Sequence, residues 1–333
     1  LRREWDEVKS AAASYLGWNL TPTPGPSPAG KNTQQGRGAA AREKKRAALE
    51  KLLHDFQNKL VSTTVLDPAC GSGNFLYVSL SMLKDLEKQV ITFGLEVGIP
   101  DLEPRVTPAQ LRGIEKDDFA FQLASIVVWI GYLQWKVKNG YAPASEQPIL
   151  KPLNTITQMD AILEIPNPKN QIPKEPEWPA ADVIVGNPPF LGGNRIRAEL
   201  GDAYVDALFK LYEGRVPAFA DLVCYWFEKA RAMIAEGKVK RAGLLATNSI
   251  RGGANREVLK RIKQSGDIFW AISDRDWILD GAMVHVSMVG FDDGRMKPYI
   301  LDNKPASAIN PDLTAGVDLT QARRLRDNLD ICF

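Results

Sequence analysis

The chain has 333 residues, 44% hydrophobic and 25% charged, with formal net charge +2, 26 Gly, 22 Pro and 3 Cys. A chain of this length buries a full-sized core unaided, and Cys70, Cys224 and Cys332, with His54 and His285 as its only histidines, make no ligand-spaced set. Neither a metal site nor a disulfide framework is expected. No apolar run nears the roughly eighteen residues of a membrane span, and Leu1-Arg2-Arg3-Glu4-Trp5 lacks a signal-peptide core, so the expectation is a cytoplasmic chain with no membrane contact. A first residue of Leu and the abrupt end at Ile331-Cys332-Phe333 point to a segment of a longer protein.

Residues 1–60 carry 11 Lys/Arg against 6 Asp/Glu, a local surplus that suits a nucleic-acid-facing arm. Arg42-Glu43-Lys44-Lys45-Arg46 equally suits a solvated helix face. The spacing of Trp5, Val8, Ala12, Tyr15 and Leu16 predicts a helix over 5–18. A Pro/Gly/Ser-rich linker over 21–38, expected to be mobile, separates it from a second helix over 39–60. Strand and helix signals then alternate: strands at 63–66, 110–114, 181–185 and 242–246, and helices at 74–90, 119–137, 221–236 and 255–263. Two β-rich segments, 268–272 and 284–291, close the series without a helix between them, which predicts an antiparallel edge pair. Eight prolines from Pro143 to Pro179 mark an irregular connection before the 181–185 strand. The alternation gives an α/β fold, a doubly wound, mainly parallel sheet.

The first chemical motif is Val65-Leu66-Asp67-Pro68-Ala69-Cys70-Gly71-Ser72-Gly73-Asn74-Phe75-Leu76: a carboxylate at a strand's carboxyl end, a small-residue turn, then a helix. Ligands bind at such strand ends in open α/β sheets. Gly71 and Gly73 let the backbone approach a ligand closely, and Asp67 can accept hydrogen bonds from a cationic amine. That suits the amino-acid end of S-adenosylmethionine better than a pyrophosphate. The string matches neither a P-loop nor the G-x-G-x-x-G fingerprint. A second carboxylate should end the next strand and take the ribose hydroxyls; Glu115 is preferred, with Glu96 as the competitor.

The second motif, Asp182-Val183-Ile184-Val185-Gly186-Asn187-Pro188-Pro189-Phe190, sets an amide at the end of a buried strand before two prolines and an aromatic. Prolines remove backbone donors and leave outward carbonyls, so the Asn187 side chain and the Pro188 carbonyl suit a planar amino group with two hydrogens. Phe190 can stack on the ring bearing that amine, or alternatively plug the core.

With these residues the chain resembles the amino-group DNA methyltransferases of the class I S-adenosylmethionine-dependent fold. The motif order is that of the γ subgroup, most of which make N6-methyladenine. Gly186 to Gly193, with Ala246 to Ile250 and Met283 to Phe291, is similar to the methylase region of large single-chain restriction–modification and phage-defence enzymes. The resemblance implies a seven-stranded Rossmann-like sheet with an antiparallel edge strand and an N-terminal helical extension. It divides the chain into a helical segment at 1–60, a catalytic domain at 61–295 and a C-terminal extension beginning at 296–333. It implies S-adenosyl-L-methionine as cofactor, bound by Asp67, Ala69, Cys70, Gly71, Gly73, Asn74, Phe75, Glu115 and Asp160. Asn187, Pro188, Pro189 and Phe190 become the catalytic residues. Asp160 falls where the family places an acid on the cofactor's adenine amine, although a helix cap explains it as well, and Asp221 likewise divides between a cofactor-side position and a helix N-cap. The partner implied is double-stranded DNA, with a nuclease, helicase or target-recognition region elsewhere in the full-length protein. An RNA or protein-glutamine acceptor, or a catalytically silent DNA-binding module, are the competing readings.

Overall fold

The computed structural model describes residues 1–16, 35–141, 153–165, 172–279 and 282–316. Most of the linker predicted at 21–38 lies outside them, as do the segments 142–152, 166–171 and 317–333. The chain divides into two compact units: Leu1–Thr63 with Tyr77–Gln110 and Val128–Lys151, and Thr64–Leu76 with Leu111–Val127 and Pro152–Phe333.

The first unit is helical. It contains α1 (Arg2–Leu16), α2 (Gln35–Ser62) and the later parts of α3 (Asn74–Glu96) and α4 (Asp118–Lys138). The helix-forming run of α2 starts at Gln35, four residues before the predicted 39, so residues 35–38 belong to a helix and not to the linker. Trp5 of α1 stacks on Phe56 of α2 at 5.3 Å between centroids and meets the edge of Phe93 at 5.6 Å. Lys84 and Glu87, both on α3, are buried. The Lys84 ammonium lies 4.4 Å from the Trp135 ring centroid and donates to the Val106 carbonyl at 3.0 Å, while Glu87 accepts the Arg105 and Val106 amides. These bonds fasten residues 99–107, which have no regular structure of their own. Glu96 is the last residue of α3.

The second unit is built on one sheet. Its strands are β1 (Val65–Asp67), β2 (Leu111–Glu115), β3 (Ile156–Gln158), β4 (Val183–Gly186), β5 (Arg241–Thr247), β6 (Asp267–Leu279), β7 (Ala282–Asp292), β8 (Tyr299–Leu301) and β9 (Lys304–Ala306). The spatial order is β3-β2-β1-β4-β5-β7-β6-β8-β9. β3, β2, β1, β4 and β5 run parallel. The predicted antiparallel pair is β6 and β7, but it is not an edge pair: β7 lies inside the sheet, antiparallel to both β5 and β6. The sheet continues through β8, parallel to β6, to an antiparallel edge strand, β9. Among the described residues it therefore has nine strands rather than seven. The first residues assigned to the C-terminal extension supply β8 and β9, because a three-residue hairpin arm is too short to announce itself by alternation.

Helices α5 (Ile196–Leu200), α6 (Asp202–Leu211), α7 (Val223–Ala235) and α8 (Arg256–Ser265) complete the unit. α7 packs on β5, and α8 packs on α7 and β6. Nearly every residue of α7 is buried, including Tyr225 and Phe227, and the Phe227 ring stacks on Phe291 of β7 at 5.9 Å. Glu228 is sealed beneath Arg231 and Arg261, whose hydrogen bonds hold its carboxyl below the usual range against the effect of burial. Among the described residues, no helix is long and apolar enough to cross a membrane.

Candidate active site

In the parallel half of the sheet, strand order reverses between β1 and β4, and the crevice outside the carboxyl ends at such a reversal is where an open α/β sheet binds ligands. That crevice holds a cavity of about 510 Å³. Its walls come from the residues that leave each strand end: Pro68 and Ala69 after β1, Glu115 and Lys116 at β2, Met159 to Ile162 after β3, and Asn187, Pro189 and Leu191 after β4. Leu200 and Tyr204 of α5 and α6, and Leu222 and Trp226 at α7, close the remaining sides. All of these residues belong to the second unit.

The two motifs meet directly. Asp67 ends β1 and Gly186 ends the neighbouring β4; a β-carbon on Gly186 would stand 2.7 Å from the Asp67 carboxylate. Asp67 is 1% exposed, and its Oδ1 accepts the Ala69 amide at 3.1 Å. Burial pushes its carboxyl up to about 7; the Ala69 hydrogen bond opposes this and the Glu115 charge adds to it. Among the described residues no cation is one of the groups that move it.

The turn after β1 needs its glycines at the two positions with left-handed backbone, Gly71 (φ 52°) and Gly73 (φ 87°). A β-carbon on Gly73 would also press on the Ala124 carbonyl at 3.0 Å. Glu115 ties this turn down: its Oε2 accepts the Gly71 amide at 2.8 Å, while Oε1 accepts the amides of Lys116 at 2.7 Å and Asp117 at 2.8 Å. Cys70 is buried beside Gly113, and burial drives its thiol far up, so it has no thiolate character at neutral pH. The indole of Trp226 donates to the Pro68 carbonyl at 2.9 Å and fixes the other side of the turn.

Asp160 caps no helix. Its Oδ1 accepts the Ile162 and Leu163 amides at 2.9 and 3.1 Å in a tight turn after β3, and its Oδ2 accepts from the Lys116 ammonium and the Tyr204 hydroxyl, both at 2.9 Å. A carboxylate has about four acceptor places, and all of them are filled. Lys116, 64% exposed, is the partner with least holding it.

At the end of β4, the Asn187 Oδ1 is buried and, among the described residues, has no hydrogen-bond partner. Pro188 is buried, Pro189 is exposed on the cavity wall, and Phe190 is half-buried away from the lining. Of the residues singled out in the sequence, Ala69, Glu115, Asp160, Asn187 and Pro189 thus surround one cavity. Asp67, Cys70, Gly71, Gly73, Asn74 and Phe75 form the β1 turn and the start of α3, outside the lining itself. Lys116, Tyr204, Leu222 and Trp226 line it without having been singled out. Trp226 lies five residues after Asp221, within the helix predicted over 221–236, which is α7. Asp221 is not the cap of α7, whose N-cap is Leu222.

A sheet of this order, with a glycine turn after β1 and an Asn-Pro-Pro turn after β4 around one cavity, defines a class I methyltransferase fold. The family described as MmeI, DNA-methyltransferase domain, matches residues 39–302. The chain belongs to this family of DNA-methyltransferase domains from restriction–modification enzymes, whose methyl donor is S-adenosylmethionine. DNA methyltransferase A of Bacillus subtilis (strain 168) is 28% identical over 293 residues, which are 84% of this chain and 32% of that protein. The type IIL restriction–modification enzyme MmeI in complex with DNA superposes with a TM-score of 0.65 at 26% identity, over 83% of this chain and 38% of that one. The chain therefore spans about a third of the length of these relatives.

Proposed function

We propose that this chain methylates the exocyclic N6 amine of an adenine turned out of double-stranded DNA, in restriction–modification or phage defence, within a larger cytoplasmic protein. The observation that carries the reading is the Asn187 Oδ1: a buried acceptor at the wall of the cavity, without a partner among the described residues. An orphaned buried acceptor costs about 1–3 kcal/mol, a cost that a ligand supplying the missing donor relieves.

The residues present fit S-adenosylmethionine. Asp67, buried and without a counter-cation among the described residues, suits its ammonium, and the Ala69–Gly73 backbone suits the close approach of the methionine part. Glu115 retains one acceptor place on Oε2 for a ribose hydroxyl after its three amide bonds. Asp160 suits an adenine amine once Lys116 swings aside. When bound, the cofactor supplies an electrophilic methyl group on a sulfonium.

The chain supplies position and polarity. The Asn187 Oδ1 and the Pro188 carbonyl accept the two N–H groups of the target amine, which turns its lone pair toward the cavity and stabilises the positive charge that grows on nitrogen. Neither proline has an N–H to compete for these oxygens. Leu191, Leu222 and Trp226 keep water from that end of the cavity. No nucleophile is required, in keeping with a Cys70 thiol that burial keeps protonated.

The test is nucleoside mass spectrometry of DNA from a methylation-free host that expresses the full-length protein. N6-methyladenine should be present with the wild-type protein and absent with Asn187→Ala. A soluble, cofactor-binding protein that leaves the DNA unmodified sinks the reading in favour of an RNA or protein acceptor.

A further inference from the structure

Among the described residues the Asn187 Oδ1 has no hydrogen bond to fix it, so its place depends on how the chain on either side is held. Upstream, β4 is held between β1 and β5. Downstream, residues 191–195 belong to no strand or helix before α5 begins at Ile196. A cluster around Asp221 holds it. The Asp221 Oδ1 accepts the Gly193 amide at 3.0 Å, and the Leu222 amide donates to the Leu191 carbonyl at 2.9 Å. A β-carbon on Gly193 would stand 2.2 Å from the Phe219 carbonyl, so the two backbones are in direct contact.

Asp221 is itself gripped by the segment that follows β5. Asn255, 8% exposed, bonds it reciprocally: the Asn255 Oδ1 accepts the Asp221 amide at 2.7 Å, and its Nδ2 donates to the Asp221 Oδ2 at 2.8 Å. The Ser249 hydroxyl donates to the same Oδ2 at 2.6 Å. Both residues come after β5, which also flanks β4 in the sheet. One carboxylate thus joins the post-Phe190 turn, the entry to α7 and the loop after β5.

We propose that Asp221 and Asn255 are a positioning pair for the methyl-transfer step: through Gly193 and Leu191 they fix the Asn187-Pro188-Pro189-Phe190 turn in its reactive shape, without touching cofactor or base. The inference rests on the functional reading above. It predicts a defect in rate rather than in cofactor binding, since Ala69, Glu115 and Asp160 sit on other strand ends.

The pair is nearly symmetric in shape but not in donor and acceptor, and that supplies the test. Asp221→Asn sets two amide donors against each other, and Asn255→Asp sets two carboxylates against each other. The two substitutions together return a donor to each acceptor. In the full-length protein, transfer of tritiated methyl groups from saturating S-adenosylmethionine to unmethylated DNA should fall at least ten-fold in each single variant and recover most of its rate in the double variant. The Kd for S-adenosylhomocysteine by calorimetry should stay within two-fold throughout. Where a single variant fails to fold, Ser249→Ala, at an exposed hydroxyl, removes one bond to Asp221 and should cost several-fold in rate at unchanged Kd. Single variants as active as wild type, a double variant no better than the singles, or a loss that appears in Kd instead of rate each overturn the positioning role. An inactive wild-type protein overturns the functional reading, and this inference with it.

Discussion

Burial dominates the electrostatics of Asp67 at the end of β1. Its folded carboxyl titrates at about 7 against 3.8 in the unfolded chain. Between those values the folded protein holds a proton that the unfolded chain has lost, so stability falls as pH rises through that window, by roughly 4 kcal/mol once both states are ionised. The melting temperature of the cofactor-free protein should therefore decline from about pH 5 to pH 8, and decline less in Asp67→Asn. Only the carboxylate can take an ammonium, so S-adenosylmethionine should bind more tightly as pH rises over the same range. Calorimetry near pH 6 in buffers of different ionisation enthalpy should register proton release. Binding without release, at constant affinity, would remove Asp67 from the methionine end.

At the scale of elements, the site is a matter of turns at strand ends, and glycine decides which turns are possible. Gly73 combines φ 87° with a close backbone neighbour, so Gly73→Ala should lose about 1–3 kcal/mol of stability and weaken S-adenosylhomocysteine binding at least ten-fold. Gly186→Ala would drive a methyl group into the Asp67 carboxylate and should impair cofactor binding although Gly186 is in the catalytic motif. Gly243, in the middle of β5, has nothing within 4 Å of its would-be β-carbon, and Gly243→Ala serves as the neutral comparison. Equal effects at all three positions in binding and thermal melts would contradict a role for close approach at Gly73 and Gly186. The glycines were legible in the sequence, but the adjacency of Gly186 to Asp67 was not, because they are brought together only by the pairing of β1 with β4.

Over the whole molecule, the division into two units separates the contacts that hold the helices from those that form the cavity. In the first unit, Glu87 is the buried counter-charge of Lys84, whose own pKa burial lowers while Glu87 raises it. Glu87→Ala leaves an unpaired buried ammonium and two unanswered amides, and should cost about 3–5 kcal/mol. Because every lining residue of the cavity belongs to the second unit, the same variant should keep its Kd for S-adenosylhomocysteine below its lowered transition temperature. Scanning calorimetry paired with binding titrations checks both halves.

The sequence by itself determined the alternation of strands and helices and the two turns that matter, since both are local: apolar runs set β1 and β4, and the Gly and Pro residues after them set the shapes of the two turns. It also marked Glu115 at a strand end, against Glu96, which closes α3. Tertiary structure alone decided the rest. The insertion of β7 between β5 and β6 is a pairing choice that antiparallel strands of either order satisfy equally in sequence. β3, β8 and β9 are three residues each, too short for a period to show. Tyr204, Lys116 and Trp226 became cavity walls only because their elements converge on the same strand ends. Asp221, readable as a cap, instead clamps a turn 28 residues upstream, a contact whose partners no local pattern announces.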